Sequence, residues 1–246
     1  MIWSETPHTY MMGKDTATEA IRALPQKERA EAFRHRAANL IGEQYWRDYA
    51  VFMPWVNTPK GPCLIFEKRA QHLHAQPGEI CFPGGAVEKG ETFLEAAVRE
   101  TCEELLVDRA QLEVIGPGEI FITPTQKRLD SFLGILHDFD GRFSTAEVAS
   151  LLWVPVSDLY ALTPEIYEHP LHLEQDPAFP LGDANRPYTW KTGSYRTLLY
   201  RWKGYCIWGI TARLLEAALA LIRDYELESI LVNEGESSEN TSIQLY

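Results

Sequence analysis

The chain has 246 residues, of which 45% are hydrophobic and 24% are charged, a composition typical of one folded domain with a large core. Its net charge of −12 argues against a nucleic acid as the main partner, because lysine and arginine side chains carry that kind of binding. No apolar run reaches the roughly 18 residues needed to cross a bilayer, so no membrane partner is expected.

Residues 1–46 are predicted to form a helical extension. Helix-forming residues dominate from Thr16 to Trp46, with a break at Pro25, which cannot continue a helix. The first residues lack the basic and apolar regions of a secretory signal, and this favours the cytoplasm as the location.

Residues 47–232 are predicted to form an α+β domain. Apolar and β-rich runs indicate strands at 48–56, 61–69, 79–85, 112–123, 128–139 and 150–156, and two more within 195–208 that turn at Lys203-Gly204. A short helix is expected near Thr145, and a longer one follows Gly209. The apolar stripe of that longer helix is predicted to pack in the core, and it consists of Ile210, Leu214, Leu215, Ala218, Leu221 and Ile222. The polar and acidic residues 233–246 are predicted to be a flexible tail.

A predicted helix over residues 93–105 carries glutamates at unusual density. The 100° step per residue puts Glu103 about 60° to one side of Glu100 and Glu104 about 40° to the other, so the three carboxylates face one way. Like charges at this spacing destabilise a helix by about 0.2–0.5 kcal/mol per pair unless a cation lies among them. Oxygen-only ligands favour Mg²⁺ or Mn²⁺. For such a cluster taken alone, a solvated acidic face is the alternative.

The sequence around the helix favours the metal site. Gly85, then Glu91 after five residues, then "RETCEELLV" from Arg99 after seven more, resemble the Nudix box, the loop-helix-loop signature of enzymes that hydrolyse nucleoside diphosphates linked to another group. The resemblance implies the Nudix fold, an α/β/α sandwich with a mixed central β-sheet. Leu106 stands where the family usually has glycine, so the loop is expected to leave the helix by another route.

The resemblance also implies a metal-dependent hydrolase that needs no covalent nucleophile. Its cofactor would be Mg²⁺ or Mn²⁺. The implied metal ligands are the backbone carbonyl of Gly85 and the carboxylates of Glu100, Glu103 and Glu104. Arg99 is expected to brace this cluster through Glu91.

The general base is left open between two carboxylates. Glu100, on the box helix, is the first candidate. Glu147 is the second. It precedes the "WVP" strand, and this segment resembles a family segment that carries an acidic residue before that strand. An ordinary surface acid is the alternative for Glu147.

The stretch before the box, "KRAQHLHAQPGEICFPGG" from Lys68, resembles an extension found in the coenzyme A pyrophosphatase branch of the family. The matching positions are Arg69, Ala70, Gly78, Phe82, Pro83, Gly84 and Gly85. His74 stands where a second arginine is usual, and Glu67 replaces a common threonine. The segment "IWGITARLL" from Ile207 is also similar to this branch. The implied reaction is hydrolysis of coenzyme A, or a derivative, to 3′,5′-ADP and 4′-phosphopantetheine.

Three side chains are the candidates for binding substrate phosphates, namely Arg69, His74 and Lys127. The nearest alternative is a Nudix hydrolase for ADP-ribose or a dinucleotide, because His74 departs from the branch pattern. The other alternative is a non-catalytic, ligand-sensing Nudix domain, against which the complete set of acids argues. The expected partner is a small-molecule nucleoside diphosphate, and a homodimer stays open as an alternative to a monomer.

Overall fold

A computed structural model describes residues 22–35, 40–176, 179, 182–183, 186–187 and 189–232. The helices are α1 (Gln26–His35), α2 (Phe93–Leu105), α3 (Val156–Ala161), α4 (Gly209–Asp224) and α5 (Glu228–Val232). The strands are β1 (Arg47–Thr58), β2 (Gly61–Arg69), β3 (Ile80–Cys81), β4 (Gly84–Ala86), β5 (Leu112–Ile122), β6 (Lys127–Leu136), β7 (Val148–Pro155), β8 (Glu165–Leu171), β9 (Gly182–Asp183), β10 (Arg186–Pro187), β11 (Gly193–Trp202) and β12 (Tyr205–Trp208). The predicted α2 has the observed bounds.

The main sheet has seven strands, in the order β3-β2-β1-β6-β5, with β4 paired to β1 and β7 paired to β2. The central pair, β1 and β6, is parallel, whereas β1 and β2 are antiparallel. The predicted mixed sheet is therefore confirmed. Parallel pairing of β1 with β6 requires a crossover, and α2 lies within it.

Two hydrophobic cores cover the two faces of this sheet. Alternate residues of β1 point to opposite faces, so Met53 and Trp55 join the core beneath α4, while Ala50 and Phe52 join the core beneath α2. The predicted apolar stripe of α4 lies in or against the first of these cores. This arrangement is the expected α/β/α sandwich.

A second sheet, in the order β12-β11-β8, packs on α4 through Leu198, Tyr200 and Ile207. The predicted turn between β11 and β12 is confirmed, and both Lys203 and Gly204 have positive φ, as a two-residue hairpin of type I′ requires. Strand β12 runs directly into α4. The third strand of this sheet, β8, was not predicted from the sequence.

Two predicted elements differ from the structure. Residues 79–85 form two short strands rather than one, because β3 pairs with β2 whereas β4 pairs with β1, and Phe82 and Pro83 make the crossing between them. The short helix predicted near Thr145 is wrong, since residues 145–147 form a turn. Neighbouring backbone explains this turn: the Ser144 N–H donates to the Glu104 carbonyl at 2.7 Å, and the Glu147 carbonyl accepts from the Ala70 N–H at 2.7 Å.

The predicted terminal segments lie largely beyond the described part of the chain. Within residues 1–46, α1 has no buried residue. Residues 1–21 and the predicted acidic tail at 233–246 are outside the described residues, so the proposed domain boundaries stay predictions. Among the helices that the structure describes, none combines the length and apolar character that a membrane span needs.

Candidate active site

Both ends of α2 are fixed by local bonds. At its start, the Thr92 side chain accepts a hydrogen bond from the Glu95 N–H at 3.2 Å, and the Glu95 carboxylate accepts from the Thr92 N–H at 2.8 Å, a capping box. At its end, Leu106 takes the left-handed conformation, with φ 51°. The prediction that the chain leaves the end of α2 in a different conformation is therefore wrong. Leu106 adopts the left-handed conformation for which glycine is favoured, at a cost of roughly 1–2 kcal/mol.

One face of α2 anchors the helix on the sheet. Its buried residues Ala97, Val98 and Leu105 pack against β1 and its neighbours. The Thr101 hydroxyl is buried and donates to the Ala97 carbonyl at 2.6 Å. Because this face is fixed by packing, the position from which the neighbouring glutamates project is fixed as well.

Glu104 is the most deeply buried carboxylate of α2, with 3% of the residue exposed. Its Oε2 accepts a hydrogen bond from the Gly84 N–H at 2.9 Å, which links the helix to the loop before it. Burial raises the pKa of Glu104 to about 7, although the bond from Gly84 acts to lower it.

Glu67, on β2, lies beside Glu104 and is 1% exposed. Burial raises the pKa of Glu67 well above its usual value, and the charge of Glu104 is the second largest cause. Its position at the site was not predicted from the sequence. The one signal was its replacement of a common threonine.

Arg99 joins two carboxylates of the box. Its Nε and Nη2 donate to the two oxygens of Glu91 at 2.9 and 3.1 Å, and its Nη1 donates to Glu100 Oε1 at 2.9 Å. Arg99 lowers the pKa of Glu91, whereas burial raises that of Glu100 despite the neighbouring guanidinium. The Glu103 side chain is 61% exposed, with Oε2 3.6 Å from Arg99 Nη1.

A cleft of 390 Å³ opens beside these acids. Glu100, Glu104 and Glu147 line one part of it, with the backbone of Gly84 and Gly85. Arg69 and Lys127 also line it, and an apolar wall comes from Ile210, Thr211 and Leu214 at the start of α4. The cleft therefore combines carboxylates, cations and an apolar surface.

The structure brings most of the predicted site residues to this cleft and leaves three outside its lining. Those that line the cleft are Arg69, Gly85, Glu100, Glu104, Lys127 and Glu147. Glu103 lies on the exposed side of α2, Arg99 is held between Glu91 and Glu100, and His74 is exposed in the loop after β2. The roles of all these residues stay predictions.

The residues at the acidic end suit a hard divalent cation. All the donors are oxygens, which Mg²⁺ and Mn²⁺ prefer. A Cβ added to Gly85 would lie 2.3 Å from Glu100 Oε1, so with glycine at this position the carboxylate can lie against the backbone. The buried Glu67 Oε1 has no hydrogen-bond partner within the described residues. As they stand in the described part of the chain, no three histidine, cysteine or acidic side chains already converge on one point.

Substitution of Gly84 and of Gly85 is expected to have different effects. At Gly84, with φ 151°, a Cβ would lie 2.3 Å from the Ala50 carbonyl oxygen, which is backbone and cannot move away. We expect Gly84→Ala to reduce the free energy of unfolding by roughly 3 kcal/mol, because it adds steric overlap to backbone strain. At Gly85 the Cβ would meet the flexible end of Glu100, so we expect Gly85→Ala to cost less stability but to displace that carboxylate and reduce kcat. Urea unfolding and hydrolysis rates of both variants separate the effects, and equal losses of stability would contradict the assignment.

A family model and curated relatives match the larger part of this chain's sequence. A family model described as NUDIX domain matches residues 46–175, which is more than half of the chain. An uncharacterized Nudix hydrolase, NudL, from Escherichia coli O6:H1 is 32% identical over 178 residues, 71% of this chain and 83% of the relative. NudL from Enterobacter sp. strain 638 is 29% identical, again over 71% of this chain and 83% of the relative. Among solved structures, the Ap4A hydrolase of C. elegans in a binary complex aligns at 22% identity and a TM-score of 0.40, over 46% of this chain and 83% of that one.

Proposed function

The chain belongs to the Nudix family of hydrolases, and from this premise we propose that it cleaves the diphosphate of coenzyme A or of a derivative. The products would be 3′,5′-ADP and 4′-phosphopantetheine. The observation that supports this proposal is the cleft in which Arg69 and Lys127 lie with Glu100, Glu104 and Glu147. A substrate with several phosphates needs cations, and an acidic protein has to place them locally.

The metal site would be built from the box. The residues that would hold Mg²⁺ or Mn²⁺ are Gly85, through its carbonyl, and Glu100, Glu103 and Glu104. When bound, such an ion neutralises diphosphate oxygens and lowers the pKa of a water molecule. Glu103 is the member of this set that would have to turn toward the cleft, since its side chain is exposed and lies near Arg99.

Arg69 is the main candidate for binding the diphosphate. Its Nε donates to the Ala75 carbonyl at 3.3 Å, which orients the guanidinium at the cleft. A guanidinium stays charged at neutral pH and can bind two phosphate oxygens at once. Lys127 lies elsewhere in the same lining, with Nζ 5.4 Å from the centre of the Tyr49 ring. It would supply a second positive charge for the phosphates.

The proton from the attacking water would be taken by Glu100 or Glu147. Glu100 is half-buried, and its raised pKa makes it a stronger base than an ordinary carboxylate, although Arg99 holds one of its oxygens. Glu147 lies on a turn, is exposed, and lines the cleft. Backbone bonds from Ala70 and to Ser144 fix the position of that turn.

A substrate panel tests the proposed function. The purified protein is incubated with Mg²⁺ or Mn²⁺ and coenzyme A, ADP-ribose, NADH or diadenosine polyphosphates, and chromatography identifies the products. We expect coenzyme A to have the highest kcat/KM, with 3′,5′-ADP as a product. Much faster cleavage of ADP-ribose or a dinucleotide would reject coenzyme A as the substrate. The broader assignment as a diphosphate hydrolase would still stand.

Two substitutions test the phosphate contacts. We expect Arg69→Ala to raise KM for coenzyme A by at least about tenfold, because a lost bond to a charged phosphate costs roughly 1.5–3 kcal/mol. His74→Arg should lower KM, because it restores a permanent cation in the loop after β2. Arg142→Ala is the matched control, since Arg142 pairs with Asp140 and does not line the cleft.

The same kinetics with dephospho-coenzyme A locate each contact. A change in KM for coenzyme A alone assigns the contact to the 3′-phosphate, and equal changes for both substrates assign it to the bridging diphosphate. An Arg69→Ala enzyme with unchanged KM for both substrates would remove Arg69 from the binding site.

A further inference from the structure

Glu67 is a buried carboxylate that the box motif does not include. It lies on β2, opposite Cys81 of β3 and Leu151 of β7, and so occupies the interior of the main sheet. Only 1% of the residue is exposed, and its Oε1 is buried without a hydrogen-bond partner in the described part of the chain. An acidic oxygen in that position is costly unless something else binds it.

The carboxyl group of Glu67 lies beside that of Glu104, close enough for the charge of one to act on the other. Glu104 is itself buried and takes one bond, from the Gly84 N–H. Two neighbouring carboxylates shielded from water repel each other strongly. Neither packing nor the anchoring of α2 requires a second acid at this point, because the Gly84 bond already holds Glu104.

Within the described residues, few positive charges lie near this pair. Arg99 is engaged by Glu91 and Glu100 on the other side of the box. Arg69 is the arginine that acts electrostatically on both Glu67 and Glu104. When Glu67, Glu104 and the neighbouring Glu147 are all ionised, one guanidinium does not balance their charge, whereas a divalent cation adds the missing positive charge.

We propose that Glu67 is an additional ligand of the metal site and supplies an oxygen to the cation held by Glu104. This proposal rests on the proposed function, because it takes Glu104 as a metal ligand. It adds a ligand from β2 to those of the box, so the cation would be held by the sheet as well as by the helix and its loop.

Mn²⁺ binding in the absence of substrate tests the proposal. Free Mn²⁺ is measured by electron paramagnetic resonance during titration of the wild type, Glu67→Gln and Glu104→Gln. We expect Glu67→Gln to weaken Mn²⁺ binding at least tenfold, because the neutral side chain keeps the size of glutamate but loses its charge and a strong oxygen donor. Glu113→Gln is the matched control, since Glu113, on β5, pairs with His137 and does not line the cleft.

The result decides in either direction. A loss of threefold or more in Glu67→Gln, with Glu113→Gln unchanged, supports the proposal, and a smaller loss overturns it. Thermal unfolding in EDTA checks the fold, and Glu67→Thr replaces Glu67→Gln if the latter does not fold. Failure of both variants to fold without metal would assign Glu67 to folding and overturn the proposal.

The outcome is separable from that of the proposed function. Slow hydrolysis of coenzyme A by a wild type that binds Mn²⁺ would reject coenzyme A as the substrate without contradicting the proposal that Glu67 is a metal ligand. Unchanged Mn²⁺ affinity in Glu104→Gln would instead reject the metal site itself, and the Glu67 proposal would fall with it.

Discussion

Glu104→Gln is expected to lower kcat by about 10²-fold or more while leaving the fold intact. The amide keeps the size of the side chain and can still accept the bond from Gly84, so α2 should remain anchored. It removes the charge that would hold the cation, and with it the stabilisation of charge that develops in the transition state. Steady-state kinetics at saturating Mg²⁺ and circular dichroism measure the two effects.

Glu103→Gln belongs to the same experiment, and the same loss is expected. Its side chain is exposed in the described structure, so a large effect would show that Glu103 turns toward the metal in the working enzyme. Glu119→Gln, on an exposed part of β5, is the control for a lost negative charge. Near-wild-type turnover in both box variants would reject the metal assignment.

Glu100→Gln and Glu147→Gln are expected to differ in the pH dependence of kcat. A general base works only when it is deprotonated, so its protonation produces the acidic limb of the profile, and its loss costs roughly 10²–10⁴-fold. Burial raises the pKa of Glu100, whereas a bound cation would lower it, so the base is identified by the loss of the limb in one variant and not by the pH at which the limb lies. The variant that removes the base should flatten this limb.

Saturating metal is essential to this comparison, because the pKa of Glu104 is raised to about 7 and its protonation also opposes metal binding. Mn²⁺ titration of each variant supplies the second readout. If Glu147→Gln alone flattens the limb with unchanged metal affinity, Glu100 is a ligand only. Persistence of the limb in both variants would exclude both as the base.

The sequence predicted the elements whose signals are local. The bounds of α2 followed from its helical pattern, and the structure shows a capping box at Thr92 and Glu95. The turn at Lys203-Gly204 likewise depends on adjacent residues. The central mixed sheet followed from the resemblance to the Nudix box, because the order of strands is not a local property.

The features that were missed depend on contacts between distant residues. The segment near Thr145 has a helical composition, yet it forms a turn because its backbone binds Glu104 and Ala70. Glu67 is the first of three charged residues at the end of β2, and only the fold places its side chain beside Glu104. His74 was assigned by its alignment with an arginine, and alignment does not determine whether a loop residue points into a cleft.

The apolar wall of the cleft has a consequence for how this enzyme can change over evolution. Ile210, Thr211 and Leu214 come from α4, which follows the stretch of 46–175 that matches the shared family model, and the Thr211 hydroxyl binds α4 to the Ile80 carbonyl at 3.1 Å. The acids of the box and this part of the cleft wall are therefore encoded in separate stretches of the chain. With this cleft as the proposed substrate site, substitutions in α4 would alter substrate preference without changing the acids of the box, so substrate preference and catalytic residues could diverge at different rates.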